Sequence, residues 1–362
     1  MREPDRVCDS VVAHISAVRG ARAERCSYAA VTWHPLDKRE QRRVLASCAP
    51  NKIAIDFEEL ARKGFWQGTE GEELHILMGD PSHVSRKSGL HCHVISKPLP
   101  AGAIMRVGAG LYCCSPAFAT LLYSEGRSLP EVYALVMELL GIYSLPAEAT
   151  LPIAWGGVWP DFTDRHNVEQ EHCRCEPAVT MRELRAVAAW ATGRRYATFR
   201  RAVEYALSGS ASPMETVMAG MFSIPMRWGG FNLRALPQGG MLLNHRIDFS
   251  PRAVRMASGI PYAVCDLYIP AAGTDLEYNG GYHEQESVRV RDGQRNNGLK
   301  GMGVKVLVIN RDQMIDIVAL EAIAQSIYDD ANQRFRYQAA GYRARQLALL
   351  NGLRAGIGLP PV

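Results

Sequence analysis

The segment from residue 212 to residue 328 constrains the fold of this chain most, because its element signals follow one another clearly. Ser212, with Pro213 after it and Glu215 three positions on, matches a capping box, so we predict such a box and a short apolar helix to Phe222. Strands are then predicted at 241–249, 262–269 and 274–278, a helix at 289–302, a strand at 304–309 and a helix at 315–328. This order predicts an α/β sandwich with at least one crossover strand.

Two acidic residues interrupt apolar strands in this segment. Asp266 lies within AVCDLYIP, and Glu277 follows it eleven residues later within DLEYNGG. A carboxylate on a half-buried strand is costly unless it is paired or bound to a cation. We therefore predict that the two share a hard divalent metal, Mg²⁺ or Mn²⁺, which takes oxygen ligands. Asn279 is two residues beyond Glu277 and so is expected on the same face of the strand.

Several short motifs in the same segment follow one family's order. They are SPMETVMAG at 212–220, CDLYIP at 265–270, EYNGGYH at 277–283, DGQR at 292–295 and GVKVLVI at 303–309. Over about residues 210–328 their order and spacing resemble the PD-(D/E)XK nuclease superfamily, and within it the very-short-patch-repair-like endonuclease domain of uncharacterised bacterial proteins. The resemblance implies an α-β-β-β-α-β restriction-endonuclease-like core that hydrolyses phosphodiester bonds. DNA is the expected substrate, and the sequence does not separate it from RNA.

The resemblance also implies roles for single residues. Asp266 and Glu277 would hold the metal, and Glu215 would reach it directly or through water. The metal would lower the pKa of a bound water and neutralise charge on the phosphorus. His283 would act near the attacking water or the leaving oxygen. Asn279 would complete the catalytic set.

Asn279 departs from the family pattern, which usually has Asp or Lys at this position. Asn keeps a carbonyl ligand but loses the charge, and it cannot act as a base. A site with one fewer anion should hold Mg²⁺ more weakly. The alternative is therefore a catalytically attenuated nuclease fold that binds nucleic acid or a protein partner, in the manner of an antitoxin or regulator.

Each of these candidates also has a purely structural interpretation. Glu215 could serve only the helix cap, and Asp266 could pair with an arginine. Asp248, in HRIDFSP, is a rival strand carboxylate. Asp292 and Arg295, three residues apart, could lie over the site or form a surface ion pair.

Basic residues late in the chain are the predicted contacts to nucleic acid. The candidates are Arg295, Lys300, Arg334 and Arg336. Residues 334–354 interleave arginines with aromatic residues, which suits a helix lying along phosphates. The alternative is an amphipathic helix that packs Leu347, Leu350 and Leu353 against the body of the protein.

Histidine and cysteine clusters elsewhere carry a weaker signal. His91 and His93 share one strand face, which is compatible with zinc. A second group comprises His166, His172, Cys173 and Cys175. Neither group has a paired C-x-x-C knuckle or a matching second half, so structural roles are expected for both.

The length of 362 residues favours two or three structural units. We expect an N-terminal mixed α+β domain at 1–115, with a winged helix as the alternative, and a helical connector at 116–208. The endonuclease-like domain is expected at 209–330 and a basic C-terminal helix or tail at 331–362. The sequence does not specify an oligomeric state.

Composition bounds the compartment and the partners. The sequence contains no run of eighteen apolar residues, so no membrane-spanning helix is predicted. The charged start MREPDRVCDS lacks the apolar core of a secretory signal. A cytoplasmic protein is therefore expected, with its nine dispersed cysteines mostly as thiols. The net charge of +4 permits nucleic-acid binding without requiring it.

Overall fold

The computed structural model describes residues 10–52, 55–147, 172–238, 240–280, 286–337 and 340–362, without the side chains of 286–289. The described residues up to 147 form one compact unit together with 172–206, and those from 207 onward form a second. Both units mix helices with sheets, as expected for an α+β chain.

The first unit is built on a mixed sheet of six described strands in the order β2-β5-β6-β1-β3-β4. These are β1 (Ser10–Val12), β2 (His34–Pro35), β3 (Leu74–Met78), β4 (Leu90–Val94), β5 (Ile104–Gly108) and β6 (Leu111–Cys114). Strand β1 pairs in parallel with β6 and antiparallel with β3, and β3 pairs in parallel with β4. A further short pair joins β7 (Tyr143–Ser144) to β8 (Cys173–Arg174).

The helices of the first unit start where the sequence supplies caps. They are α1 (His14–Tyr28), α2 (Lys38–Ser47), α3 (Phe57–Arg62), α4 (Pro116–Tyr123), α5 (Leu129–Leu140), α6 (Met181–Trp190) and α7 (Ala197–Tyr205). Asp37, Ser128 and Thr180 each form a capping box. Residues 116–208 were expected to be a connector; instead α4 packs on α1 and α5 packs on α7, inside the first unit.

A buried ion pair ties α1 to α5. Both Arg22 and Glu138 are essentially excluded from solvent, and Arg22 donates two hydrogen bonds to the carboxylate, of 2.8 and 2.5 Å. The backbone N–H of Leu145 donates to the same carboxylate over 3.1 Å. One turn further along, Arg25 donates to the carbonyls of Glu138 and Gly141. Helix α1 is therefore anchored by charge-assisted bonds as well as by apolar packing.

Cys26 of α1 and Cys173 of β8 form a disulfide that joins positions 147 residues apart. This pair is an exception to the thiols expected from composition. Six other cysteines in the described ranges are free, and all of them except Cys92 are buried. Cys175, next to the disulfide, is among the buried thiols, and burial raises its pKa.

The second unit contains a four-stranded sheet in the order β12-β11-β10-β9. Its elements are α8 (Pro213–Ser223), β9 (Leu242–Asp248), α9 (Pro251–Met256), β10 (Tyr262–Ile269), β11 (Thr274–Asn279), α10 (Glu286–Gly301), β12 (Lys305–Asn310), α11 (Arg311–Ile315), α12 (Ile317–Asp330) and α13 (Tyr342–Gly356). Strands β9, β10 and β11 are antiparallel neighbours, and β12 returns parallel to β11 after α10. This is the crossover strand predicted from the sequence.

Helices α9 and α10 cover part of this sheet with small and apolar side chains. The core here includes Phe249, Ala253, Cys265, Leu299 and Val304. Close packing explains the glycine at 298 in α10, because a Cβ there would lie 2.1 Å from the Phe249 ring. The helix can therefore approach the sheet only without a side chain at that position.

The C-terminal helix α13 packs on α8, mostly through leucines. Leu349, Leu350 and Leu353 are buried, whereas Leu347 is 43% exposed, so its predicted packing role is wrong. Within the described residues, no helix is both long and apolar enough to cross a membrane.

Candidate functional site

Glu215 is held at the start of α8 by two different sets of bonds. Its backbone N–H donates to the Ser212 hydroxyl over 3.2 Å, which is the predicted cap. The carboxylate does not close a capping box. Instead it accepts from the N–H of Ala211 and from the Asn244 side chain, each over 2.8 Å. Glu215 is only 7% exposed, and this burial raises its pKa.

Asp266 and Glu277 lie side by side in the hairpin of β10 and β11. The register, in which Leu267 pairs with Leu276, brings the two acids together. Asp266 Oδ2 accepts from the N–H of Tyr278 over 3.0 Å, and Glu277 Oε1 accepts from the N–H of Asp266 over 3.4 Å. Burial first, and then the charges of Glu277 and Glu215, raise the pKa of Asp266 to about 7.

The three predicted acids therefore share one electrostatic environment. Each of the pairs formed by Glu215, Asp266 and Glu277 interacts through like charge. Their oxygens are not gathered tightly enough for one ion to touch all three as they stand. Within the described residues, the only set of potential ligand atoms all within 4.8 Å of one another belongs to His14, His75 and His93.

Arg295 of α10 occupies the space beside Glu277. Its Nη2 donates to Glu277 Oε1 over 2.5 Å and to the carbonyl of Val264 over 2.5 Å, and it lies 3.4 Å from Asp275 Oδ2. Arg295 therefore pairs with the site, rather than with Asp292, which is exposed on the same helix. A cation that bound Glu277 would compete with this guanidinium.

Two residues of the site were missed by the sequence analysis. Asp275 is fully buried, and burial together with its neighbour Glu277 raises its pKa to about 9. Its spacing of two from Glu277 was a signal, because such residues share a strand face. Asn244 bridges Glu215 and the carbonyl of Gly209, and it has a positive φ of 45°. No pattern in the sequence predicts the contact of Asn244 with Glu215.

The remaining candidates are dispersed. Asn279 is half-buried at the end of β11, where it pairs with Asn310 of β12. His283 lies outside the described residues. Asp248 is exposed and paired with Arg246 over 2.8 Å, so it does not join the three acids.

The predicted nucleic-acid contacts differ from one another in exposure. Lys300, Arg334 and Arg336 are exposed, whereas Arg295 is mostly buried against the acids. A surface cleft of about 660 Å³ lies beside Arg295, and Arg291 and Tyr262 also line it. The guanidinium of Arg246 stacks 3.8 Å above the Tyr262 ring. Cations and an aromatic face thus adjoin the acidic site.

A scan against protein-family models, a search of curated proteins and a search of solved structures each found no match.

Proposed function

We propose that residues 209–330 form a restriction-endonuclease-like core that hydrolyses phosphodiester bonds in DNA with Mg²⁺ or Mn²⁺. The observation that carries this proposal is the convergence of Glu215, Asp266 and Glu277, from one helix and two strands, into one acidic cluster in which Glu215 is buried and the other two are half-buried. The order α8, β9, β10, β11, α10, β12, with the short helix α9 inserted between β9 and β10 and with a parallel last strand, supports it. The cytoplasm would be the compartment of this activity.

The side chains of the cluster suit a hard divalent cation. They are oxygen donors, and burial together with the charges of Glu277 and Glu215 raises the pKa of Asp266 to about 7; a bound cation would offset the like-charge part of this shift. Asp266 and Glu277 would hold the ion, with Glu215 as a direct or water-mediated third group. The bound cation would supply a water of lowered pKa and stabilise charge on the phosphate.

Other residues would position the acids and the substrate. Asn244 and the N–H of Ala211 fix the Glu215 carboxylate, and the N–H of Tyr278 fixes Asp266. Arg295 would leave Glu277 and turn toward a phosphate oxygen, since guanidinium pairs well with either anion. Exposed Lys300, Arg334 and Arg336 would add salt-dependent affinity for the backbone of DNA.

A plasmid-nicking assay tests the proposal. Full-length protein should convert supercoiled DNA to the nicked form with Mg²⁺ or Mn²⁺ and not with EDTA. Asp266→Ala should lower the rate at least ~100-fold, because it removes a metal-holding group. The matched control is Asp248→Ala, since Asp248 is an exposed carboxylate on the neighbouring strand. Metal-dependent nicking that survives Asp266→Ala would contradict the proposal.

A second function is favoured by the ion pair of Arg295 with Glu277 and by the asparagine at 279. In this second function the nuclease fold is catalytically attenuated, and the protein binds nucleic acid or a protein partner. Asn279→Asp separates the two. Strong nicking that appears only in this variant supports the attenuated fold, whereas wild-type nicking supports the enzyme. Salt-dependent DNA binding by a wild type that does not cut would also favour the binder.

A further inference from the structure

A histidine cluster lies in the first unit, far in sequence from the acidic site. His14 is the first residue of α1, immediately after β1 and Ala13, while His75 lies on β3 and His93 on β4. Strand β3 pairs with both β1 and β4, so the sheet brings three distant chain segments side by side. The potential ligand atoms of the three imidazoles all lie within 4.8 Å of one another.

The rings are in direct contact. His75 Nδ1 and His93 Nε2 are 2.9 Å apart, a hydrogen bond in which one imidazole donates to the other. The His14 ring stacks on His75 with centroids 4.2 Å apart, and its centroid is 5.1 Å from that of His93. Two nitrogens bound to one tetrahedral zinc are about 3.3 Å apart, so the nitrogens of His75 and His93 need only a small expansion to share the ion.

Unmet hydrogen-bonding capacity is a second, independent sign of a ligand. Among the described residues, the buried Nδ1 of His14 has no hydrogen-bond partner, and neither has the buried hydroxyl of Tyr123. The Tyr123 ring lies 5.5 Å from the His14 ring. Buried polar atoms are nearly always paired in native proteins, so two such atoms beside one cluster call for a specific explanation.

The backbone at His14 is also unusual. Its φ is 52°, in the left-handed region that a non-glycine residue adopts at a cost of roughly 1 kcal/mol or more. This conformation brings the imidazole from the sharp turn between β1 and α1 against the rings on β3 and β4. Strain of this kind is retained where the position of a side chain matters.

The electrostatic setting keeps the imidazoles neutral, which is the state that binds metal. Burial is the largest cause and neighbouring histidines add to it, lowering the pKa values of His14, His75 and His93 to about 2, 3 and 4. The two arginines that face the cluster are each near a carboxylate. Arg19 pairs with Glu72 over 2.5 Å, and Arg127 lies 3.9 Å from Glu131.

We propose that His14, His75 and His93 form a three-histidine site for Zn²⁺. Imidazole nitrogen is a preferred zinc ligand, and three histidines leave a fourth position for water or a further ligand. The stacked His14 ring would turn about χ2, a soft torsion, so that its lone pair joins the other two. This proposal goes beyond the nuclease function and does not depend on it.

His91 is the protein's own candidate for the fourth position. Its ring centroid is 4.8 Å from His93 and 5.0 Å from His75. Its Nδ1 lies 3.3 Å from Glu73, an orientation that a carboxylate often imposes on a metal-binding imidazole. His91 is half-exposed, and the fourth position is filled either by its imidazole or by water. The variant His91→Gln should weaken zinc binding only if His91 is the fourth ligand. Retention of tight zinc binding in that variant means that water fills the position.

The test uses full-length protein without an affinity tag, stripped with EDTA and titrated with Co²⁺ and then Zn²⁺. Wild type should bind one equivalent with the visible absorption of tetrahedral Co²⁺, and Zn²⁺ should displace it. His75→Asn and His14→Asn should each weaken binding at least ~100-fold. Asn is chosen at 14 because it tolerates positive φ. Circular dichroism checks that each variant is folded.

Two control variants guard the assignment. His34→Asn removes an exposed histidine of the same unit and should leave the affinity unchanged. Cys92→Ser removes the partly exposed thiol that lies between His91 and His93. A Co²⁺–thiolate band lost in Cys92→Ser would overturn the all-histidine site. So would the absence of saturable binding in wild type, or wild-type affinity in folded His14→Asn and His75→Asn. Loss of folding in one variant leaves the other, and the wild-type spectrum, to decide.

Discussion

The acidic cluster of the second unit and the histidine cluster of the first are both sets of three buried or half-buried titratable side chains from distant segments. Burial favours the neutral form of the shifted groups: it raises the pKa values of Glu215 and Asp266 and lowers those of the three histidines. The acids, however, are already engaged by Arg295, Asn244 and backbone N–H groups.

The histidine cluster retains an unpartnered buried nitrogen on His14 among the described residues. The comparison shows that three potential ligands can lie close together and still be unavailable to a metal ion, because other groups already bind them. In the acidic cluster an incoming cation must displace Arg295 and, near neutral pH, a proton. In the histidine cluster it meets neutral imidazoles and needs mainly a ring rotation.

The largest expected effect is on the stability of the first unit. It tests whether the position of His14 depends on the ion pair between α1 and α5. Glu138→Ala removes the carboxylate that pairs with the buried guanidinium of Arg22 on α1, the helix that carries His14. We expect the first unit to lose about 3–5 kcal/mol of stability. Urea unfolding and hydrogen exchange of α1 and α5 peptides measure it. Glu125→Ala, at an exposed glutamate, is the control and should change stability by less than about 0.5 kcal/mol.

Unchanged exchange of α1 in folded Glu138→Ala would show that the ion pair of Arg22 with Glu138 is not needed to hold the helix in place. His14 would then keep its place against β3 and β4 without the ion pair.

A second prediction concerns the repulsion within the acidic cluster. The folded-state pKa of Asp266 is raised to about 7 from 3.8, so the folded protein binds more protons than the unfolded chain between these values. Wild-type stability should therefore fall as pH rises from about 4 to about 7. Asp266→Asn should reduce this slope, to which the raised pKa values of Glu215 and Asp275 also contribute, and should stabilise the metal-free protein at pH 8 by on the order of 2 kcal/mol.

Urea unfolding at pH 5 and pH 8 in EDTA measures this difference. Asp248→Asn, at the exposed strand acid, should leave the slope in place. A destabilised Asp266→Asn at pH 8 would mean that its hydrogen bond to Tyr278 outweighs the repulsion.

The smallest effect sharpens the contrast between an engaged and an open site. Arg295→Gln removes the competitor for Glu277, so Mg²⁺ should raise the melting temperature more in this variant than in wild type. Half-saturation should need about 10-fold less Mg²⁺, corresponding to the loss of one charge-assisted bond of about 1.5 kcal/mol. Thermal melts across a Mg²⁺ series measure it, with Arg291→Gln as the exposed control. Equal Mg²⁺ responses would show that Arg295 does not compete.

Much of the second unit could be predicted from sequence because its signals are local. The bounds predicted for β10 are those observed, and β9, β11 and β12 differ from prediction by a residue or two. Acids at apolar strand positions marked Asp266 and Glu277. The ion pair with Arg295 was not predictable, because the turn of α10 that faces β11 depends on packing such as Gly298 against Phe249.

The histidine cluster, in contrast, could be predicted from the sequence only in part. The sequence places His91 and His93 on one strand face, but it does not predict a zinc site there because it shows no matching second half. That half is His75, from a parallel neighbouring strand, and His14, from the turn after β1. Strand order in a mixed sheet depends on long-range pairing, which single-sequence periodicity does not contain.

The disulfide between Cys26 and Cys173 carries a consequence for how the chain comes apart. Every peptide bond between these cysteines lies inside one covalent ring. A protease that cuts the ring once therefore releases no fragment, and the nicked protein migrates as two bands only after reduction. Both His75 and His93 lie within this ring, so a singly clipped molecule would still keep them tethered to the helix that begins at His14.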